Sequence, residues 1–139
     1  MPPLDIGDVW ARARDARVAR LATVDAAGQP HLVPCCFVLD GLTAYSAVDD
    51  KPKRSPRLQR LANVQVRPVA SLLIDEYSDD WATLWWIRAG GPAQDIEAGP
   101  PHDRAVRLLL AKYPQYLHHR LDGPVLAIEL VRWQSWAAS

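Results

Sequence analysis

The dipeptide Asp40-Gly41 constrains this chain more than any other feature. It lies between two runs of strand-forming residues, His31–Leu39 (HLVPCCFVL) and Leu42–Val48. Two residues of this type between such runs specify a tight hairpin, because glycine reaches the positive φ that the turn requires. Upstream, Val18–Val24 (VARLATV) alternates apolar and polar residues, and Asp25-Ala-Ala-Gly-Gln-Pro30 supplies a second turn with Gly28 available for positive φ. Three strands joined by two tight turns form an antiparallel meander. Pro34 removes a ladder donor from the middle run, which marks an edge, a bulge or a place where a ligand meets the backbone.

The rest of the chain extends this pattern. Leu4–Asp15 reads as a peripheral helix with a narrow apolar stripe, and Pro56–Val66 as a second helix with proline in its first turn. Val69–Tyr77 (VASLLIDEY) is nearly all apolar as far as Ile74, so a strand buried on both faces is expected. Ala82–Ala93 is a fifth strand with Trp85 and Trp86 on opposite faces, bent or ended by Gly90-Gly91-Pro92. After a linker at Glu97–Pro101, His102–Leu117 is helical on the spacing of Ala105, Leu108, Leu109 and Lys112, with Pro114 placed to split off the last turn. Val125–Trp133 is a sixth strand. The expectation is a single domain over residues 1–139. Its class is mainly β (α+β): six antiparallel strands in a small barrel, capped by helices and split by the helix between strands three and four.

Composition excludes several functions. With 49% hydrophobic residues the chain is not disordered, and a net charge of zero lacks the broad basic face of a general nucleic-acid binder. No apolar run is long enough for a membrane-spanning helix, and Met1-Pro-Pro-Leu-Asp5 does not open like a secretory leader, so a cytoplasmic location is expected. Cys35 and Cys36 are adjacent, point to opposite faces of a strand, and read as small apolar fillers in a reducing compartment.

Catalytic motifs are missing from the sequence. There is no Gly-x-Ser-x-Gly elbow, no phosphate loop and no Gly-x-Gly-x-x-Gly. His31, His102 and Cys36 have no metal-site spacing, and the adjacent His118 and His119 diverge on a helix, so no metal is expected. What stands out is a basic stretch. From Lys51 to Ile74 there is no acidic residue, while Lys51, Lys53, Arg54, Arg57, Arg60 and Arg67 are all cationic. It follows a strand end at Ser46–Val48 and leads into a helix start, a setting suited to an anion and equally open to a solvated charged turn. Trp81, Trp85 and Trp86 cluster, which suits a core, a subunit interface or a planar heterocycle. A phosphate clamp beside a flat apolar slot describes a flavin-like cofactor, in which case the protein supplies no catalytic residue of its own.

Val18-Ala-Arg-Leu-Ala-Thr-Val-Asp25, Gly28-Gln-Pro-His-Leu-Val-Pro34, Ala47-Val-Asp-Asp-Lys-Pro-Lys-Arg54, Leu58-x-Arg-Leu-Ala-Asn63 and Trp81-x-x-Leu-Trp-Trp86 together resemble the pyridoxamine 5′-phosphate oxidase-like superfamily. Within it they are most similar to the deazaflavin-dependent (coenzyme F420) oxidoreductases. The resemblance implies a split β-barrel of the flavin-reductase type, paired as a homodimer with cofactor sites between the subunits. It places Lys51, Lys53 and Arg54 on the cofactor phosphate, with Ser46 and Val48 at the strand end below. Pro34, Cys35, Cys36 and Phe37 would line the ring system, and Trp85, Trp86 and Arg88 would wall the slot or come from the partner copy. Arg57 and Arg60 would meet the acidic tail of a deazaflavin, a tail that FMN lacks. The implied activity is hydride transfer from reduced coenzyme F420 to a small electrophilic acceptor. An FMN-dependent oxidoreductase, or a non-catalytic flavin, deazaflavin or tetrapyrrole binder, are the alternatives. Cys35-Cys36 stands where the family pattern has larger apolar residues, and nothing specifies pyridoxamine phosphate as substrate.

Overall fold

Alternation, turn chemistry and two breaks in the expected strands determine the architecture of the computed structural model, which describes residues 6–47, 59–118 and 121–138. Helix α1 (Ile6–Asp15) precedes the meander, with Asp8 in its first turn and Arg12 and Arg14 in its last, each favourable to the helix dipole. Strand β1 (Ala19–Val24) pairs antiparallel with β2 (Pro30–Cys35) across a turn in which Gly28 has φ 88°. The Asp25 carboxylate accepts from the Ala27 and Gln29 N–H groups, so the side chain itself closes the loop. The Asp40-Gly41 hairpin joins β3 (Val38–Asp40) to β4 (Thr43–Ala47), with Gly41 at φ 60°.

Helix α2 (Gln59–Val66) leads into β5 (Val69–Glu76), which pairs with the twelve-residue β6 (Trp85–Ile96). Helix α3 (Pro100–Lys112) begins at Pro100-Pro101, where two of the expected linker residues serve as first-turn prolines. A short 3-10 turn over Pro114–His118 follows, and β7 (Val125–Glu129) and β8 (Arg132–Ala137) end the described chain.

The described strands form an eight-stranded antiparallel sheet in the order β2-β1-β5-β6-β7-β4-β3, with β8 on β6. The sheet is not closed, as in a split barrel; β2 and β3 stand at opposite ends of the path and are joined only through Cys36 and Phe37. Eight strands replace the expected six because two of the six are broken. The middle run of the meander stops at Cys36-Phe37. The last run steps at Leu130-Val131, where Leu130 N–H turns to the Leu42 carbonyl and Val131 N–H to that of Gly90.

Strand β6 is the member common to both halves. Its first part pairs with β5 and β8, its last residues with β7. Gly90-Gly91 bends it without ending it. A Cβ on Gly91 would stand 2.1 Å from the Glu129 carbonyl oxygen, so only glycine allows β6 and β7 to approach this closely.

The expectation that β5 is buried on both faces is corrected. Ala70, Leu72 and Ile74 are buried, but Val69 and Leu73 are exposed, because an antiparallel sheet of this kind has one covered face and one open to water. The covered face holds the main core, around Leu21, Phe37, Leu72, Ile74, Ile87, Leu126 and Ile128. A second core lies under α3, where Ala105, Leu109 and Tyr113 pack on Val38 and Val125. Asn63 on α2 is buried and donates to Thr23 on β1 (2.9 Å), and Gln59 donates to Asn63 (2.7 Å). This buried polar chain pins the helix with its hydrogen bonds satisfied.

Candidate functional site

Strand β4 leaves the sheet with Ser46 buried, and its hydroxyl donates to the Cys36 carbonyl at 2.8 Å. Cys35 is buried next to it, and burial pushes its thiol pKa up against the pull of Ser46 and of the Arg60 guanidinium. Arg60 itself enters from the first turn of α2, half-buried. Its Nε is shielded from solvent and has no hydrogen-bond partner among the described residues. A guanidinium N–H always carries its proton and has no acceptor capacity, so a buried one without a partner is costly by about 1–3 kcal/mol. His31 Nδ1 is also buried and without a partner among the described residues, but an imidazole can carry its proton on Nε2 and then leaves only a lone pair unused at Nδ1. The structure therefore gathers Cys35, Ser46 and Arg60 into one corner with an unspent donor. Val48, Lys51, Lys53, Arg54 and Arg57 lie outside the described residues.

The other residues singled out in the sequence are placed as follows. Phe37 is wholly buried. Its N–H donates to the Tyr113 hydroxyl (3.1 Å), and its carbonyl accepts from Lys112 Nζ (2.9 Å), with the Tyr113 hydroxyl 3.0 Å away. The same hydroxyl lies 2.9 Å from the Arg17 carbonyl, so one phenol ties three chain segments. Burial pushes the Tyr113 pKa up to about 12. Burial, and then the charge of Arg17, brings Lys112 down to about 8, while its Nζ sits 4.0 Å from the Phe37 ring centroid. Tyr113 and Lys112 were not singled out as site residues. The signal in the sequence was a lysine on the apolar spacing of a helix, where only its stem is expected to be comfortable.

Pro34 is exposed on the open face of the sheet. The register Pro34–Arg20–Leu73–Arg88–Gln134 sets it in the same row as Arg88, three strands and about 14 Å apart. Trp85 and Trp86 face opposite ways. Trp85 is buried, donates to Glu76 (2.9 Å) and has Arg12 over its ring. Trp86 is on the open face with Arg88 above it and Trp136 opposite. Trp85 therefore belongs to the packed interior, and Trp86 and Arg88 to an open surface that also carries Leu32, Val69, Leu73 and Trp136.

Beside Trp85 lies a cleft of about 640 Å³, bounded by Arg12, Asp15, Arg17, Glu76 and Thr83. Among the described residues no three His, Cys, Asp or Glu side chains gather as a metal site, and no helix is long and apolar enough to cross a membrane.

No curated protein matches the sequence. Several solved structures share its fold. A conserved hypothetical protein from Mycobacterium tuberculosis superposes with a TM-score of 0.76 at 18% identity, over 97% of this chain and 86% of the other. HutZ, the heme storage protein from Vibrio cholerae, gives 0.74 at 14% identity over 95% and 93%. A FAD-binding protein from Mesorhizobium loti gives 0.68 at 18% identity over 96% and 93%. At these identities the likeness concerns the fold. The sequence pattern described as pyridoxamine 5'-phosphate oxidase matches residues 9–137, nearly the whole chain, and the chain belongs to that family.

Proposed function

We propose that this protein is an oxidoreductase that transfers hydride from reduced coenzyme F420 to a small electrophilic acceptor, with the cofactor held between two copies of the chain. The observation that carries this reading is the buried Nε of Arg60, without a partner among the described residues, beside Ser46 and Cys35 and within an acid-free basic stretch. An anion at that corner would satisfy a donor that nothing among the described residues satisfies. The corner therefore fits the phosphate and acidic tail of a deazaflavin. Arg60 would hold it together with Lys51, Lys53, Arg54 and Arg57, and Ser46 and Val48 would form the strand end beneath.

When bound, the deazaflavin ring supplies the hydride chemistry. The chain supplies position and dryness: Arg60 and the basic stretch bind, the exposed Pro34 borders the ring site, and Trp86 and Arg88 of a second copy cover it. Phe37, wholly buried with both backbone groups engaged, holds the bend and not the ring. The exposed Leu32, Val69, Leu73 and Trp136 on one sheet face support pairing of copies, since apolar side chains left open on a small domain favour association. Proteins of this fold include ones named for FAD and for heme, which supports a planar, charged heterocycle as the class of ligand.

Equilibrium titration of the purified protein with coenzyme F420, FMN and heme in separate cells tests the reading. The expected result is saturable binding of F420, weakened about 10-fold or more by Arg60→Met, and faster acceptor reduction than by free reduced F420. Binding of FMN or heme without F420 would reverse the assignment, and F420 binding without accelerated turnover would make the protein a carrier.

A further inference from the structure

The cleft of about 640 Å³ beside Trp85 lies between the last turn of α1 and the connection from β5 to β6. Its charged side chains are Arg12, Asp15, Arg17, Asp75 and Glu76. Three acids and two bases share the space, so it suits neither a bare anion nor a bare cation. Their engagements narrow it further. Asp75 is paired with Arg20 on β1 at 3.0 Å. Arg17 donates to the Lys112 carbonyl (2.9 Å) and lies over the Tyr113 ring, 4.6 Å from its centroid. Asp15 is close enough to Lys112 to favour its charged form.

Arg12 and Glu76 remain, and one indole holds both. The Glu76 carboxylate accepts from Trp85 Nε1 at 2.9 Å, and the Arg12 guanidinium lies 5.7 Å from the Trp85 ring centroid. The indole N–H and the ring face are both neutral, so neither contact cancels a formal charge. Among the described residues the Arg12 guanidinium makes no hydrogen bond, and the two side chains form no ion pair with each other. Two free surface side chains of opposite sign can close on each other, for a small gain. Here Trp85 is buried in the sheet, and it presents the two charges apart on a fixed mount. A ligand with one charge would meet one of them and desolvate the other, whereas a ligand with a carboxylate and an ammonium meets both. Ala16, Val18, Ala82 and Leu84 make the remaining wall apolar, a lining that suits an apolar side chain on the same molecule.

We propose that the cleft between α1 and the β5–β6 connection binds a small apolar amino acid, with its carboxylate on Arg12 and its ammonium on Glu76. The cleft shares no side chain with the Arg60 corner, nor with Trp86 and Arg88 on the open face, so it stands independently of the cofactor reading.

Calorimetric titration of the full chain with L-leucine at about 0.15 M salt tests this, with isovalerate and isoamylamine, each lacking one of the charges, in two further arms. The indole N–H resonance of Trp85, assigned by its loss in Trp85→Phe, locates the ligand. The expected result is saturable leucine binding that moves this resonance and falls about 10-fold or more in both Arg12→Gln and Glu76→Gln. Leucine should also bind about 10-fold or more tighter than either analogue. Both variants should match the parent in titrations with coenzyme F420, and thermal melts establish that the fold is kept. Absence of saturable leucine binding, equal leucine affinity in the parent and both variants, or an analogue that binds as tightly as leucine would overturn the proposal. So would a fall in F420 affinity that tracks the fall for leucine, since the cleft would then belong to the cofactor.

Discussion

The bend at Cys36-Phe37 and the first turn of α2 both act on the Cys35 thiol, yet they treat their polar groups in opposite ways. At the bend the Phe37 N–H, the Phe37 carbonyl and the Cys36 carbonyl are all used. Tyr113 and Lys112 satisfy both backbone groups of Phe37, and Ser46 satisfies the Cys36 carbonyl. At α2 the Arg60 Nε is buried and satisfied by nothing among the described residues. A saturated polar cluster stabilises a fold and has nothing left to offer a ligand. A buried donor without an acceptor costs stability in the free protein and returns it when an anion arrives. The contrast separates the residues that hold the barrel from those that bind.

Tyr113→Phe gives the largest expected effect. It leaves a buried N–H at Phe37 without an acceptor and removes the tie to Arg17, so urea unfolding should show a loss of about 3 kcal/mol. A loss under about 1 kcal/mol would mean that the bend does not depend on the phenol. Arg60→Met should behave in the opposite way. Unfolding without ligand should change by no more than about 1 kcal/mol in either direction, while affinity for coenzyme F420 drops. A stability loss as large as that of Tyr113→Phe would abolish the distinction.

Lys112 sharpens it through pH. Its folded pKa of about 8 lies below the ordinary lysine value of about 10.4, so between these values the unfolded chain binds more protons and stability rises with pH. The raised pKa values of Cys35 and Tyr113 act the other way as their unfolded forms ionise, near pH 9 and pH 10. Denaturant midpoints of the parent and Lys112→Met, compared from pH 7.5 to about 9, isolate the lysine: the rise should be present in the parent and absent in the variant. The smallest effect belongs to a contact on the surface. Arg104 clasps Asp40 with two hydrogen bonds (2.6 and 3.0 Å) and lowers its pKa. That contribution is present above the unfolded value of about 3.9 and is lost as pH falls through the lower folded one, so Asp40→Asn should flatten the acid limb of the melting curve and little else.

How much of this was written in the sequence depends on the range of the interaction concerned. The meander was legible because Asp40-Gly41 and Asp25 to Gly28 act within a few residues, and the Asp25 carboxylate closes its own turn. The bend at Phe37 was not legible, because the groups that break the strand come from Tyr113 and Lys112 on a helix far along the chain. Val69 and Leu73 misled for a related reason: an apolar residue in a strand does not reveal whether the second face of the sheet is covered. In the site, Arg60 was legible as a cation in a basic run, but its buried, unpartnered Nε appears only in three dimensions.

Strand β6 has one more consequence, in the order of assembly. Its pairing with β5 is a local hairpin, but its contacts with β7 and β8, and the β4–β7 ladder, close loops that span much of the chain. Loop closure over such lengths is slow and comes after local pairing. The β5–β6 hairpin therefore serves as the template on which the C-terminal strands dock last. A nascent chain lacking β7 and β8 would leave one flank of β6 unpaired, with its hydrogen-bonding edge open to other chains.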